Sequence, residues 1–316
     1  MAAGAAMRIL VIKHGALGDL VQALGPMAAI RAHHPDARIT LLTTPAFRDF
    51  LEPCPFCDEV WTDSRPPAWN LPAILALARR LRSAGFSRVY DLQTSRRSSR
   101  YFALLGRPRP EWSGIAPGAS HRHADAERDR LHTLDRQRAQ LRVAGIDRVP
   151  PPSLDWVPDA PLPEGLEAAS YVVLVPGGSA HRPEKRWPVE RFAELAVRIA
   201  AMGRRVVVVG GSGERPLAAA IAARVPEVVD LTGRTDLADL VRLGRRAAGT
   251  IANDTGPAHL LAVAGSPAVV LFSAASDPAL CAPRARRVAT LRRARLADLP
   301  VEAALSELRR VTLLQA

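Results

Sequence analysis

Three short stretches gather residue types that handle protons and phosphate. Gly15-Ala-Leu-Gly-Asp19 is a glycine turn ending on a carboxylate, directly after Arg8-Ile-Leu-Val-Ile-Lys13. A carboxylate opening a helix is stabilised as an N-cap by the helix dipole. The flanking glycines also let a substrate approach closely, so Asp19 equally suits a general base. Pro176-Gly-Gly-Ser179 is followed by Lys185 and then Trp187-Pro188. Backbone N–H groups, a hydroxyl and an ammonium together suit a diphosphate. Pro188 reads as helix punctuation and Trp187 as packing. In Ile251-Ala-Asn-Asp-Thr-Gly-Pro-Ala-His259 the N–H groups of Thr255 and Gly256 can take a phosphate at a helix start. His259 lies one turn after Thr255 and shares its face. A satisfied cap with a core histidine is the competing reading.

The chain has only two lysines, Lys13 and Lys185, against 41 arginines, and each lysine adjoins one of these glycine loops. An ammonium is a compact point charge that reaches a phosphate oxygen where a planar guanidinium fork does not fit. Chance survival in an arginine-biased composition is the plainer alternative.

Strands and helices alternate around these loops. In the first half, strands are expected at Arg8–Lys13, Arg38–Thr43, Glu59–Trp61 and Arg88–Leu92, and helices after Gly18, near Leu71–Arg82, at Ser98–Leu105 and near Leu131–Val143. Arg148-Val-Pro-Pro-Pro152 with Pro158, Pro161 and Pro163 is too proline-dense for a central strand and reads as a semi-rigid linker. The plan then restarts: strands at Tyr171–Val175, Arg205–Val209, Val228–Leu231, Thr250–Ala252 and Ala268–Phe272, with helices at Val189–Met202, from Arg215, around Leu237–Arg246 and at Gly256–Ala264. This predicts an α/β protein with two Rossmann-like domains of parallel sheet facing across a cleft, over residues 1–155 and 156–316. The terminal helix is free to pack back on the N-terminal domain. All the glycine loops fall at the carboxyl ends of strands, where open parallel sheets bind ligands. Neither a full Gly-x-Gly-x-x-Gly fingerprint nor a Walker A loop is present, which weakens the hydride-transfer and P-loop readings.

A hydrophobic content of 48% and a charged content of 23% are those of a globular protein. The opening Met1-Ala-Ala-Gly-Ala-Ala-Met7 lacks a basic start and a long apolar run, so a cytoplasmic protein is expected. The net charge of +12 raises a nucleic-acid reading. Scattered arginines and an aromatic content of 5% argue against nucleic acid and leave an anionic substrate or membrane surface. Cys54-Pro-Phe-Cys57 has redox or half-zinc spacing, but with Cys281 the only other thiol, two ordinary loop residues are expected, with no metal and no cofactor.

Taken in order, Gly15-Ala-Leu-Gly-Asp19, Lys185-Arg-Trp-Pro188 with Phe192, Gly210-Gly-Ser-Gly-Glu214, Asn253-Asp-Thr-Gly-Pro-Ala-His259 and Phe272-Ser-Ala-Ala-Ser-Asp-Pro278 resemble glycosyltransferase family 9, the lipopolysaccharide heptosyltransferases. The resemblance covers roughly residues 7–285. It implies a GT-B fold, with an N-terminal acceptor domain, a C-terminal nucleotide-sugar domain and inverting, metal-independent transfer. The donor would be a nucleoside-diphosphate sugar, ADP-heptose by preference. The acceptor would be a lipopolysaccharide core or related anionic glycan at the cytoplasmic face of the inner membrane. Asp19 matches the general base and Lys185 a catalytic lysine at the donor phosphates. Thr255 and Gly256 match backbone phosphate contacts, Asp254 and His259 polar contacts near the donor sugar, and Glu214 an acidic residue near the ribose. Where core heptosyltransferases often carry threonines, this chain has Gly178-Ser179-Ala180-His181, making Gly178 and Ser179 the expected phosphate contacts. Arg96, Arg97 and Arg100, with Arg79–Arg82, suit a phosphorylated lipid acceptor; Lys13 either faces that acceptor or merely ends its strand. Two further readings stay open: a GT-B-like sugar-nucleotide epimerase and a non-catalytic basic protein binding polyanions or membranes.

Overall fold

The computed structural model describes residues 6–162, 166, 170–179 and 181–313; Met1–Ala5, Pro163 and Ala180 lie outside them. The chain forms two compact units, Met1–Pro152 and Ser153–Ala316, dividing within the proline-rich segment a few residues ahead of the expected boundary.

The first unit holds strands β1 (Arg8–Ile12), β2 (Arg38–Thr43), β3 (Glu59–Thr62), β4 (Arg88–Asp91), β5 (Glu111–Gly114) and β6 (His121–Arg122). Its helices are α1 (Leu17–His33), α2 (Arg48–Leu51), α3 (Leu71–Ser83), α4 (Arg96–Leu104) and α5 (Thr133–Val143). The second holds β7 (Tyr171–Val175), β8 (Arg205–Val208), β9 (Val229–Asp230), β10 (Gly249–Asn253), β11 (Ala268–Phe272) and β12 (Val288–Arg292). Its helices are α6 (Val189–Ala201), α7 (Arg215–Ala222), α8 (Leu237–Arg246), α9 (Gly256–Ala264), α10 (Pro278–Cys281) and α11 (Val301–Leu313).

Both sheets are six-stranded, ordered β3-β2-β1-β4-β5-β6 and β12-β11-β10-β7-β8-β9. Every pairing is parallel. The first order is 3-2-1-4-5-6, and the second is the same order with its strands renumbered, so each unit is a complete doubly wound sheet. Its crossovers diverge between the first and fourth strands of the unit, and that gap is where such sheets bind ligands. The central strands are buried along their length because helices cover both faces: β7 (Tyr-Val-Val-Leu-Val) and β11 (Ala-Val-Val-Leu-Phe) have no exposed position. Each fully buried Val, Leu or Phe contributes about 2 kcal/mol.

Three strands run against the sequence expectation. Glu111-Trp-Ser-Gly114 carries no apolar run yet pairs with β4, with Trp112 filling the core beside Phe102 at 5.3 Å between ring centroids. His121–Arg122 is only a two-residue extension of β5, and Val288–Arg292 is an edge strand on β11. The closing helix α11 buries Val301, Ala304, Leu305, Leu308 and Val311 in the core of the second unit. Its apolar face is therefore used within its own unit.

Candidate active site

In the second unit the sequence-expected residues converge on the carboxyl ends of β7 and β10. Asn253, the last residue of β10, is buried and ties the region together. Its amide donates to the carbonyls of Pro176 (2.8 Å) and Gly177 (3.1 Å), and its oxygen accepts the Trp187 N–H at 3.0 Å. Trp187 is buried, donates its indole N–H to Leu299 O at 3.1 Å and meets Phe192 edge-on at 5.0 Å. That anchors the turn Pro183–Lys185 and aims Lys185 at β10. Lys185 Nζ donates to Asp254 Oδ2 at 2.7 Å, and Ser276 Oγ donates to the same oxygen at 2.8 Å. The ammonium is thus held by an ion pair that is mostly shielded from solvent, 15% and 9% exposed on the two side chains.

Thr255 is the N-cap of α9, Gly256 opens the helix and Pro257 follows. The Thr255 hydroxyl makes no capping bond; it is buried and finds no hydrogen-bond partner among the described residues. A buried hydroxyl without a partner costs about 1–3 kcal/mol, a cost that an anion at this helix start would remove. Arg186 adds a second cation, donating from its guanidinium to the Gly178 carbonyl while its Nε stays buried and without a partner among the described residues. Ser179 is exposed beside Gly178, and its carbonyl accepts from Arg182 N at 3.0 Å. His259 lies one turn into α9 and is buried.

Glu214 joins two loops. One carboxylate oxygen accepts from Gly178 N and the other from Gly211 N, each at 2.8 Å. It bridges the loops after β7 and β8, where a ribose contact had been expected. The bridge explains the glycines: a Cβ on Gly177 would lie 1.7 Å from Glu214 Oε1.

The first unit is built differently. Gly15 has φ of +123°, a region that disfavours side chains, and a Cβ there would sit 2.7 Å from the Phe47 ring. The N-cap of α1 is Ala16, with no side-chain bond; Asp19, expected as the cap, stands in the helix's first turn and is half-exposed. An acid in the first turn still faces the positive helix end.

Lys13, expected at the acceptor or at a strand end, is 3% exposed, and its ammonium donates to Leu92 O at 3.4 Å. Burial lowers its pKa, with the nearby carboxylates of Asp19 and Asp91 opposing that shift. It therefore acts from beneath Asp19, joining the ends of β1 and β4 at the switch point. Asp91 is fully buried, and burial pushes it up to about 6 although it accepts from Ser98 Oγ (2.9 Å), Thr94 N (3.0 Å) and Gln93 N (3.1 Å). Beside it lies a second buried cluster: Tyr101 donates to Asp63, and His14 Nε2 stands 3.4 Å from the Tyr101 hydroxyl. Burial holds His14 down at about 4 against the pull of Asp63. Sequence reading missed Asp63, Asp91 and Tyr101, as it missed Asn253, Arg186 and Ser276 as individual contributors.

Arg96 and Arg97 occupy the first two positions of α4, behind a Ser95/Ser98 capping box. Cations at a helix N-terminus oppose its dipole, so an anion there would relieve them. Arg97 donates to Pro66 O, and Arg97 and Arg100 line a pocket of about 180 Å³ with Asp63, Ile74, Leu77 and Tyr101. A further concavity, about 760 Å³ beside Gly85, Ser87 and Arg107, opens at the amino ends of β4 and β5. It is at the opposite end of the sheet from Lys13 and Asp19, so we assign the chemistry to the carboxyl ends.

Known proteins resemble this chain over most of its length. The chain is 30% identical to lipooligosaccharide heptosyltransferase 2 of Haemophilus influenzae over 104 residues, spanning 31% of this chain and 30% of that protein. It is 27% identical to lipopolysaccharide heptosyltransferase 2 of Escherichia coli K12 over 293 residues, 85% of this chain and 84% of that one. The solved structure of E. coli ADP-heptose lps heptosyltransferase II superimposes with a TM-score of 0.80 at 22% identity, over 98% of this chain and 99% of that one, which shows a GT-B fold. The family model of glycosyltransferase family 9 (heptosyltransferase) matches residues 74–304. The chain belongs to glycosyltransferase family 9 and is a glycosyltransferase.

Proposed function

We propose that the protein transfers a heptose-like sugar, with inversion and without a metal ion, from a nucleoside diphosphate to a lipopolysaccharide core or related anionic glycan. ADP-heptose is the favoured donor, a choice supported by the E. coli ADP-heptose heptosyltransferase II with which the chain shares its fold. The second unit is the donor domain and the first the acceptor domain. The observation that carries the reading is the anion cradle at α9: the unpartnered Thr255 hydroxyl, the helix start at Gly256 and the Lys185 ammonium within 2.7 Å of Asp254.

In the transfer, the acceptor hydroxyl gives its proton to Asp19 while its oxygen attacks the anomeric carbon. The bond from that carbon to the diphosphate breaks on the opposite face, which inverts the centre. Both electrons of the broken bond go to the phosphate oxygen. Lys185, Arg186 and the N–H groups at Gly256 take up the charge on the leaving diphosphate. The cradle thereby supplies the positive charge that a metal ion supplies elsewhere. Asp254 keeps the ammonium in place before the donor arrives. Arg96, Arg97 and Arg100 meet the anionic acceptor, which places the enzyme at the cytoplasmic face of the inner membrane.

The test is calorimetric titration with ADP, UDP and GDP, then turnover of the sugar conjugate of the tightest binder. ADP binding, with sugar transfer only when a lipopolysaccharide-core acceptor is present, is the expected result. Failure to bind any nucleoside diphosphate would overturn the reading; donor conversion without acceptor would replace it with the epimerase.

A further inference from the structure

Trp69, Leu71 and Leu75 are 84%, 61% and 53% exposed, and they make up three of the five large apolar side chains so exposed among the described residues. All three lie on α3 and the loop leading into it. The helix has an inner face that the fold uses: Ala78 and Leu81 are buried, while Ile74 and Leu77 line the pocket against α4. Nothing in the core calls for a second apolar face, yet Leu71 and Leu75 stand one turn apart on the outside, and Arg79 continues their stripe.

That outer face is held firmly. Asn70 caps the helix by accepting from Ala73 N at 3.2 Å, the Arg80 guanidinium lies 3.8 Å over the Trp61 ring, and Arg82 Nε donates to Leu104 O at 2.7 Å. Arg97 donates to Pro66 O, tying the arginine-bearing start of α4 to the loop that carries Trp69. Charge around the patch has one sign: the sequence from Ser64 to Ser87 and from Leu92 to Pro110 contains nine arginines and no Asp or Glu. No helix among the described residues is long and apolar enough to cross a membrane. An aromatic on the leading loop and two leucines on the helix, with only arginines as charges in these two stretches of chain, match the interfacial layer of a bilayer with anionic headgroups.

We propose that α3 and its leading loop form a membrane-docking surface. Trp69, Leu71 and Leu75 enter the headgroup–acyl boundary, and Arg79 meets lipid phosphates. This goes beyond the transfer reaction and needs neither donor nor acceptor.

The test floats the intact protein with vesicles of phosphatidylethanolamine and phosphatidylglycerol that contain no glycolipid. The wild type floats with these and not with neutral phosphatidylcholine vesicles. The triple variant Trp69→Ser, Leu71→Ser, Leu75→Ser lowers the partition coefficient by at least about tenfold, with far-ultraviolet dichroism, melting temperature and ADP affinity like the wild type. Lipids brominated on the acyl chain quench tryptophan emission in the wild type, and Trp69→Phe removes that quenching. A wild type that stays in solution, or a triple variant that floats equally well, overturns the proposal. So does a wild-type dimer that the triple variant dissociates, because a second copy would then own this face. ADP affinity measured on the same samples separates failure of docking from failure of the transferase reading.

Discussion

The two units share one strand order but handle charge in opposite ways at their switch points. Beyond β7 and β10 the ion pair Lys185–Asp254 is part-buried, and the loops beneath it are fixed by neutral amides and by Glu214 bridging two backbone N–H groups. Beyond β1 and β4 the ionisable groups are inside: Lys13, His14, Asp63 and Asp91 are all buried, while Asp19 and the α4 arginines remain toward solvent. One frame therefore supports a rigid anion cradle in one unit and, in the other, a buried polar foundation under a reactive helix turn. A diphosphate is the same in every turnover and suits a preformed cradle. A proton acceptor needs a fixed position and an unengaged carboxylate.

The comparison can be broken most visibly at Asp19. Asp19→Asn should lower transfer about 10²–10⁴-fold, read in initial rates with saturating donor and acceptor. Lys185→Met should weaken ADP about 10–100-fold by calorimetry, the loss of a charge-assisted bond, and should also leave Asp254 without its cation. Arg97→Ala combined with Arg100→Ala should raise the acceptor KM roughly tenfold, since each removes one cation from a screened, part-exposed site. ADP affinity should stay unchanged in that variant, and a matching loss of ADP affinity would show that the division of labour is wrong.

The smallest effect sharpens the picture of the buried foundation. Asp91 is raised from 3.8 to about 6, so the folded state holds its proton where the unfolded chain has lost it, and this contribution falls as pH rises from about 4 to 6. His14 is lowered from 6.5 to about 4, so its contribution has the opposite sign and is lost as pH falls through the same window. The two largely cancel in the wild type. Asp91→Asn should unmask the histidine, so that stability from denaturant unfolding rises between pH 4 and 6 by up to roughly 1.4 kcal/mol per pH unit. A slope equal to that of the wild type would contradict the raised titration of Asp91.

The second unit was the more legible in sequence, and the reason is physical. Its cradle is local: Asn253 through His259 and Lys185 through Pro188 each lie within a few residues, and glycine loops announce where backbone N–H groups are exposed. Glu214 was visible in its glycine loop but its bridge was not, because Gly178 and Gly211 come from two different strand ends and only the fold brings them to 2.8 Å. In the first unit Asp19 and Lys13 were visible beside the glycines, whereas Asp63, Asp91 and Tyr101 arrive from the ends of β3 and β4 and from α4 with no shared motif. The central strand Glu111-Trp-Ser-Gly114 escaped for a related reason: it is held by its pairing with β4 and by Trp112, without an apolar run of its own.

The central claim is that the cradle binds the nucleotide while Asp19 moves the proton. It is tested most directly by measuring ADP affinity and single-turnover transfer on the same preparation of Asp19→Asn. The account predicts wild-type ADP affinity with transfer reduced at least about a hundredfold. Transfer at the wild-type rate, or ADP affinity that falls in step with transfer, would contradict it.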